Sequence, residues 1–230
     1  MKSLKRELNL MKKELETLLP HSFQEAIRQS IIDLKSKNQK SQALQAGGWA
    51  PNFVLSTPHG ELVSLQSLLH NGPVVVVFYQ GGWNPYCNIQ LKALQAHAHE
   101  IQELGGQLVA ISPESPEYGL TTALAHQLSF DVLNDQDNMI AQRYGLNFTI
   151  PANLRNVYEN LGIDLIQNNR SVSFELPMAA TYVIDQERRI AYSFVEEDFS
   201  KRAPISDILS VLYDLKKLPM VEDNRLAVYS

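Results

Sequence analysis

The stretch VVVVFYQGGWNPYCNIQL, residues 74–91, decides how this chain folds. It begins with six apolar residues, passes through two glycines and continues into a helical pattern that carries the only cysteine, Cys87. Apolar residues without polar alternation are typical of a strand that is buried on both faces, so we expect residues 74–79 to lie centrally in a sheet. A cysteine in the first turn of the next helix is a common setting for thiol chemistry.

Short strand and helix patterns alternate on both sides of this stretch. Such alternation predicts an α/β fold with a central mixed sheet flanked by helices. Residues 146–175 fit the alternation least, and we interpret them as an insertion with one helix at 153–161. The predicted strands are 52–55, 62–64, 74–79, 108–111, 132–133, 180–184 and 190–194. The predicted helices are 65–69, 116–128, 139–144, one that starts at Pro204, and one that carries Cys87 in its first turn and has its apolar positions at 91–104.

The first 46 residues predict an N-terminal helical arm of two helices separated by Pro20. Ser22 and Glu25 have the spacing of a capping box at the start of the second helix. An apolar stripe must be covered either by the main domain, residues 47–218, or by a second chain, and the sequence leaves both open. Residues 219–230 are interpreted as a C-terminal tail. The stripe of the first helix consists of Leu4, Leu8, Met11, Leu15 and Leu18, and that of the second of Phe23, Ile27, Ile31 and Leu34.

Composition narrows the class of protein. The net charge of −5 offers no basic excess for nucleic acid, and no apolar run approaches the roughly 20 residues of a membrane span. We therefore expect no nucleic-acid or membrane partner and a cytoplasmic location, since the N-terminus lacks a signal-peptide pattern. The six histidines lack metal-ligand spacing, so no metal and no cofactor are expected. A single cysteine excludes an intrachain disulfide.

Three segments resemble a known family. WAPNFVL, residues 49–55, is similar to the opening of peroxiredoxins, and FYQGGWNPYCNIQLKALQ, residues 78–95, resembles an active-site segment. AATYVIDQERRIAYSFVEEDFSKR, residues 179–202, resembles the segment that carries the second half of the site. The likeness is to the peroxiredoxin-like branch of the alkyl hydroperoxide reductase and thiol-specific antioxidant family, in which an N-terminal helical arm is usual. It implies a thioredoxin-like fold.

Three positions depart from the family pattern. Asn84 stands where the branch has a first cysteine, which removes dithiol chemistry. Gln80 stands where an arginine is common, and where the full peroxiredoxin motif has a proline. Ala179 stands where thioredoxin-fold proteins have a cis-proline, and because a cis bond before a non-proline residue costs roughly 3 kcal/mol, we expect a trans bond and an altered groove wall.

The resemblance implies a one-cysteine peroxidase. Cys87 would be the catalytic thiolate, stabilised by the helix N-terminus, and Asn84 would be a second catalytic residue that hydrogen-bonds the peroxide. Its product, a sulfenic acid, would be reduced by an external thiol reductant that is thioredoxin- or glutathione-like. The family also implies an arginine beside the thiolate, which no motif singles out from the several available, including Arg143, Arg155 and Arg202. A possible homodimer is implied as well. The expected substrate-binding residues are Trp83, Pro85, Tyr86 and Ala179.

Each of these residues also has a purely structural interpretation. Free cysteine is often simply buried, and Asn84 is a suitable helix N-cap. Trp83 and Tyr86 are the kind of residue that packs at a strand end. Two other hypotheses therefore remain: a redox-inactive thioredoxin-fold interaction module, and a remnant or engineered variant of a disulfide oxidoreductase in which Asn84 replaces a cysteine.

Overall fold

The computed structural model describes residues 3–217. The strands are β1 (Val54–Ser56), β2 (Leu62–Ser64), β3 (Val74–Phe78), β4 (Gln107–Ser112), β5 (Asp131–Asn134), β6 (Asn147–Thr149), β7 (Glu175–Pro177), β8 (Ala179–Ile184) and β9 (Ile190–Glu196). The helices are α1 (Leu4–Leu18), α2 (His21–Ser36), α3 (Leu65–Leu69), α4 (Pro85–Ala96), α5 (Ala98–Glu103), α6 (Pro116–Ala125), α7 (Met139–Arg143), α8 (Ala152–Asn160), α9 (Leu165–Asn169) and α10 (Ile205–Lys217).

Seven strands form a mixed sheet in the order β2-β1-β5-β4-β3-β8-β9. Strand β3 is parallel to β4 on one side and antiparallel to β8 on the other, and all five of its side chains are fully buried. The predicted central strand and the predicted parallel crossover through a helix are thus confirmed. The predicted hairpin is also present, since β8 and β9 are antiparallel neighbours.

Alternate side chains of β3 point to opposite faces of the sheet. Val76 and Phe78 belong to a core that includes Leu65 of α3 and Tyr144 next to α7. Val75 and Val77 belong to a second core, together with residues of α4, α5 and α10. Helices therefore cover both faces, which is the three-layer arrangement that the alternating pattern predicts.

Several predicted boundaries are wrong. The single helix expected from the turn of Cys87 to residue 104 is two helices, because the chain leaves helical geometry at His97, between α4 and α5. The strand expected at 52–55 lies at Val54–Ser56. The capping box of Ser22 and Glu25 is absent: α2 follows Pro20 without a side-chain cap, and Glu25 pairs with Arg28.

Residues 146–175 contain more structure than the one helix predicted. Strands β6 and β7 at its two ends pair as a separate antiparallel sheet, which holds α8 and α9 between them. Leu154, Val157 and Leu176 form the centre of an apolar cluster of its own. Strands of three residues are too short to show an alternating pattern, so this pairing is visible only in three dimensions.

The helical arm packs against its own chain. Helix α1 lies along α4, and α2 lies along α8, where Phe23 and Ile27 contact the apolar cluster of residues 146–175. Leu8 and Leu34 are buried, whereas Leu18 is exposed although it falls on the predicted stripe. The sequence left open whether the main domain or a second chain covers the apolar stripes of the arm. In the structure both helices of the arm pack against the main domain of the same chain. The predicted tail, residues 219–230, lies outside the described residues, and none of the helices described is long and apolar enough to cross a membrane.

Candidate active site

The loop after β3 determines where the helix of the only cysteine begins. Asn84 is the N-cap residue of α4, and its Oδ1 accepts a hydrogen bond from the N–H of Tyr86 at 2.9 Å. Pro85 is the first helical residue. Its fixed φ suits the helix, and its missing N–H costs nothing there because an N–H at this position has no acceptor within the helix. Cys87 therefore lies in the first turn, as predicted, and its N–H donates to the carbonyl of Asn84 at 3.0 Å.

A guanidinium group contacts the cysteine sulfur. Nη2 of Arg202 lies 3.4 Å from Sγ of Cys87, although the two residues are 115 positions apart in the chain. Arg202 reaches the site from the loop between β9 and α10. Its Nη1 donates to the carbonyl oxygens of Phe199 and Lys201, the latter at 2.8 Å, and these bonds hold the loop around the guanidinium.

Both groups are enclosed by protein. Cys87 exposes 0% and Arg202 exposes 6% of its surface. No carboxylate within residues 3–217 forms an ion pair with Arg202. Buried charges are generally paired, because an isolated charge loses its hydration. Among the groups at hydrogen-bond distance from this guanidinium, the sulfur of Cys87 is the one that can carry a negative charge.

A buried amide pair lies beside the first turn of α4. Nδ2 of Asn84 donates to Oε1 of Gln80 at 2.8 Å, and Nε2 of Gln80 lies 3.4 Å from the carbonyl oxygen of Pro177. Asn84 and Gln80 expose 3% and 1% of their surface. The cap interpretation of Asn84 is confirmed by this geometry, and its peroxide-binding role stays a prediction.

The aromatic residues around Cys87 pack in two directions. The ring of Trp83 lies 5.1 Å from that of Tyr158 in α8, which joins the site loop to residues 146–175. The ring of Tyr86 lies 5.8 Å from that of Phe199, in the loop that carries Arg202. Burial, reinforced by the charge of Asp198, raises the pKa of Tyr86 to about 12.

Ala179 lies at the same end of the sheet. It is the first residue of β8 and is buried, and its neighbour Ala180 is paired with Phe78, the last residue of β3. No peptide bond in the described part of the chain is cis, so the bond before Ala179 is trans, as expected. The structure thus brings Ala179 close to the strand end from which the cysteine loop leaves.

A buried carboxyl group supports this loop from behind. Oε1 of Glu114 accepts a hydrogen bond from the N–H of Gly82 at 2.8 Å, and Oε2 accepts from the hydroxyl groups of Tyr79 at 3.1 Å and Thr122 at 3.3 Å. Burial raises the pKa of Glu114, and these three hydrogen bonds oppose the rise. Tyr79 belongs to the same apolar cluster as Cys87.

Of the several arginines that the sequence left open, the structure places Arg202 beside Cys87. Arg143 donates to the carbonyl of Asn52, and Arg155 lies over the ring of Phe174, both away from Cys87. Arg202 ends the segment 179–202, whose resemblance was the signal that could have found it. Gln80 was noted only as a departure from the family motif and was given no role, and Glu114 was not predicted as part of the site, because no motif marks a residue that acts through a loop.

Comparison with known proteins now assigns the family. A profile described as "AhpC/TSA family" matches residues 46–193, which is more than half of the chain. The chain belongs to the AhpC/TSA family. The profile includes Cys87, Asn84 and Ala179, and it ends before Arg202.

Two curated relatives show the level of similarity. The chain is 31% identical to Peroxiredoxin Bcp of Escherichia coli over 103 residues, which is 45% of this chain and 65% of that protein. It is 30% identical to chloroplastic Peroxiredoxin Q of Populus jackii over 139 residues, which is 58% of this chain and 65% of that protein. The matches thus span 65% of the length of these relatives.

A solved structure supports the fold. Peroxidoxin BcpB from Mycobacterium tuberculosis superposes with a TM-score of 0.59 at 20% identity, over 74% of this chain and 97% of that one. At this identity the likeness concerns the fold alone. As an AhpC/TSA family member, the chain has the thioredoxin-like fold that the sequence predicted.

Proposed function

We propose that this protein is a thiol peroxidase that reduces hydrogen peroxide or organic hydroperoxides through Cys87 alone. The observation that carries the proposal is the contact of 3.4 Å between the sulfur of Cys87 and the buried guanidinium of Arg202. A thiolate at Cys87 would balance that buried cation, and the thiolate is the form of cysteine that attacks peroxides. The peroxiredoxin relatives support the same chemistry.

The reaction begins with attack of the thiolate on one oxygen of the peroxide. A sulfur–oxygen bond forms and the oxygen–oxygen bond breaks, so that Cys87 becomes a sulfenic acid and the peroxide leaves as an alkoxide or hydroxide. The leaving oxygen takes up a proton and departs as alcohol or water. Arg202 lies beside the sulfur, and its Nε, which has no hydrogen-bond partner within the described residues, is a further donor for a peroxide oxygen.

Regeneration needs an external thiol, because Cys87 is the only cysteine in the sequence. One thiol condenses with the sulfenic acid to give a mixed disulfide and water, and a second thiol releases Cys87 and leaves as a disulfide. A thioredoxin- or glutathione-like reductant fits this stoichiometry. A cytoplasmic location, where such reductants are available, and a homodimeric state are parts of the proposal.

A second function has one observation in its favour. Cys87 is fully enclosed, which is also expected of a redox-inactive module whose cysteine only packs. The two proposals differ in whether peroxide reacts with the sulfur. In the peroxidase, the enclosed thiol must become accessible during each cycle.

Peroxide consumption with a thiol reductant separates the two functions. We expect the wild-type protein to consume peroxide and to form one sulfenic acid per chain, which a dione reagent traps at Cys87. The variant Cys87→Ser and the wild-type protein blocked with a maleimide should both be inactive. Equal consumption by all three samples would exclude the peroxidase and favour the module. Disulfide reductase activity in Asn84→Cys would instead support the remnant hypothesis.

A further inference from the structure

The backbone of Gly82 is held unusually tightly for a loop residue. Its N–H donates to Oε1 of Glu114 at 2.8 Å, and its carbonyl oxygen accepts from Nδ2 of Asn88 at 2.8 Å. A Cβ atom at this position would clash with Oγ1 of Thr122 in α6. Side chains from three other segments therefore fix the position of this one residue.

The preceding residue has a conformation that only glycine adopts easily. Gly81 has φ of +151°, and a Cβ atom there would clash with Nε1 of Trp83. Its carbonyl oxygen accepts from the N–H of Asn84 at 3.1 Å, which ties the glycine pair directly to the N-cap of α4. Any displacement of the glycine pair would thus be passed to the first turn of that helix.

Glu114 is the group that joins this loop to the rest of the domain. It exposes 2% of its surface and lies just after β4, and its carboxyl group contacts the end of β3 through Tyr79 and helix α6 through Thr122. No cation in the described residues pairs with it. A buried carboxyl group without a cation is costly, and an apolar residue would be expected here if packing were its only role.

We propose that Glu114 is a positioning residue, which holds Gly82 and Tyr79 so that the first turn of α4 presents the sulfur of Cys87 to Arg202. Tyr79 provides the second connection, because its ring packs in the same cluster as Cys87 while its hydroxyl donates to Glu114. The proposal rests on the proposed reactivity of Cys87. It adds a residue that touches neither the sulfur nor the peroxide.

The test compares Glu114→Ala and Glu114→Gln with the wild-type protein. Glutamine retains an oxygen that accepts from Gly82, and its amide can donate to the hydroxyl oxygen of Tyr79. We expect Glu114→Ala to lower the rate constant for peroxide reduction by about tenfold to 100-fold, the effect of misplacing reacting groups by about 1 Å, and Glu114→Gln to restore most of it. The matched control is Glu117→Gln, an exposed glutamate in α6 paired with Arg170.

A second readout does not require peroxidase activity. In a Trp49→Phe background Trp83 is the only tryptophan, and its fluorescence reports the loop that Glu114 holds. We expect Glu114→Ala to shift the emission of Trp83 and to change the rate at which iodoacetamide alkylates Cys87, and Glu114→Gln to reverse both. If all Glu114 variants retain the wild-type alkylation rate, the positioning role is refuted. If alkylation changes while the wild-type protein consumes no peroxide, the positioning role stands and the proposed function fails.

A merely structural role gives a different pattern. Glu114→Ala would then lower the midpoint of urea unfolding without changing alkylation or peroxide reduction in the folded protein, and this result would overturn the proposal. If Glu114→Ala does not fold, Tyr79→Phe takes its place, because it removes one donor to Glu114 and keeps the ring in the cluster. We expect a smaller loss of rate from that variant, and an unchanged rate would count against the proposal.

Discussion

Replacement of Arg202 by methionine tests the charge arrangement on which the proposed function depends. Methionine is unbranched and about as long as the aliphatic stem of arginine, so it fills the space of that stem and removes the guanidinium. The substitution removes the hydrogen bond of 3.4 Å between Nη2 and the sulfur of Cys87, in surroundings where both residues are buried, and also the bonds from Nη1 to the carbonyls of Phe199 and Lys201. The first of these bears directly on the sulfur. Because the site is enclosed, added salt should screen this interaction only weakly.

The expected magnitude follows from that contact. A hydrogen bond to a charged group contributes about 1.5–3 kcal/mol, and about 1.4 kcal/mol corresponds to a factor of ten in rate. We therefore expect Arg202→Met to lower the rate constant for peroxide reduction by roughly 10-fold to 150-fold. Arg202→Lys should lose less, since an ammonium group keeps the charge but not the planar group that also donates to the carbonyls of Phe199 and Lys201.

The assay is the decay of peroxide under pseudo-first-order conditions with excess thiol reductant at neutral pH. Arg143→Met is the matched control, because Arg143 is exposed and donates only to the carbonyl of Asn52. The control should retain the wild-type rate. If Arg202→Met is folded and its rate lies within about threefold of the control, the guanidinium does not assist the sulfur and the reasoning from charge is refuted.

Two further predictions concern stability. Asn84→Ala removes the cap of α4 and the partner of Gln80, so we expect the free energy of unfolding in urea to fall by about 1 kcal/mol. Asn84→Ser keeps a capping oxygen and should lose less stability. Equal losses in the two variants would mean that the cap bond is not the cause. Burial raises the pKa of Tyr86 and of Tyr192 to about 12, against about 10 in an unfolded chain. The unfolded state therefore loses its phenolic protons at lower pH than the folded state. Stability should fall as the pH rises from about 10 to about 12. The measurement is urea unfolding across that pH range. The double variant Tyr86→Phe, Tyr192→Phe should lose stability less steeply with pH than the wild-type protein. An unchanged pH dependence in the double variant would contradict the assignment of the effect to these two tyrosines.

The sequence predicted the fold best where local pattern and burial agree. The uninterrupted apolar run of β3 predicted a central strand, and Asn84, a suitable N-cap, stood directly before the turn that was expected to carry Cys87. The break at His97 escaped prediction because the apolar spacing continues across it from α4 to α5.

The partners of Cys87 show the limit of local reasoning. Asn84 is three residues away and belongs to the same turn, so its capping role could be read from the chain. Arg202 and Glu114 reach the site from loops after β9 and β4, and their positions depend on how the whole sheet is assembled. A motif can indicate which chemistry to expect, but long-range contacts decide which of several arginines or glutamates takes part.

The complete enclosure of Cys87 has a kinetic consequence. A peroxide can meet the sulfur only while the surrounding segments are apart, so the observed rate constant is the intrinsic one multiplied by the fraction of molecules that are open. As the peroxide concentration rises, the rate should level off at the opening rate. The contact between the tilted rings of Tyr86 and Phe199 would then slow turnover without affecting the chemical step. Selectivity among peroxides would in that case depend as much on the width of the opening as on the reactivity of the thiol.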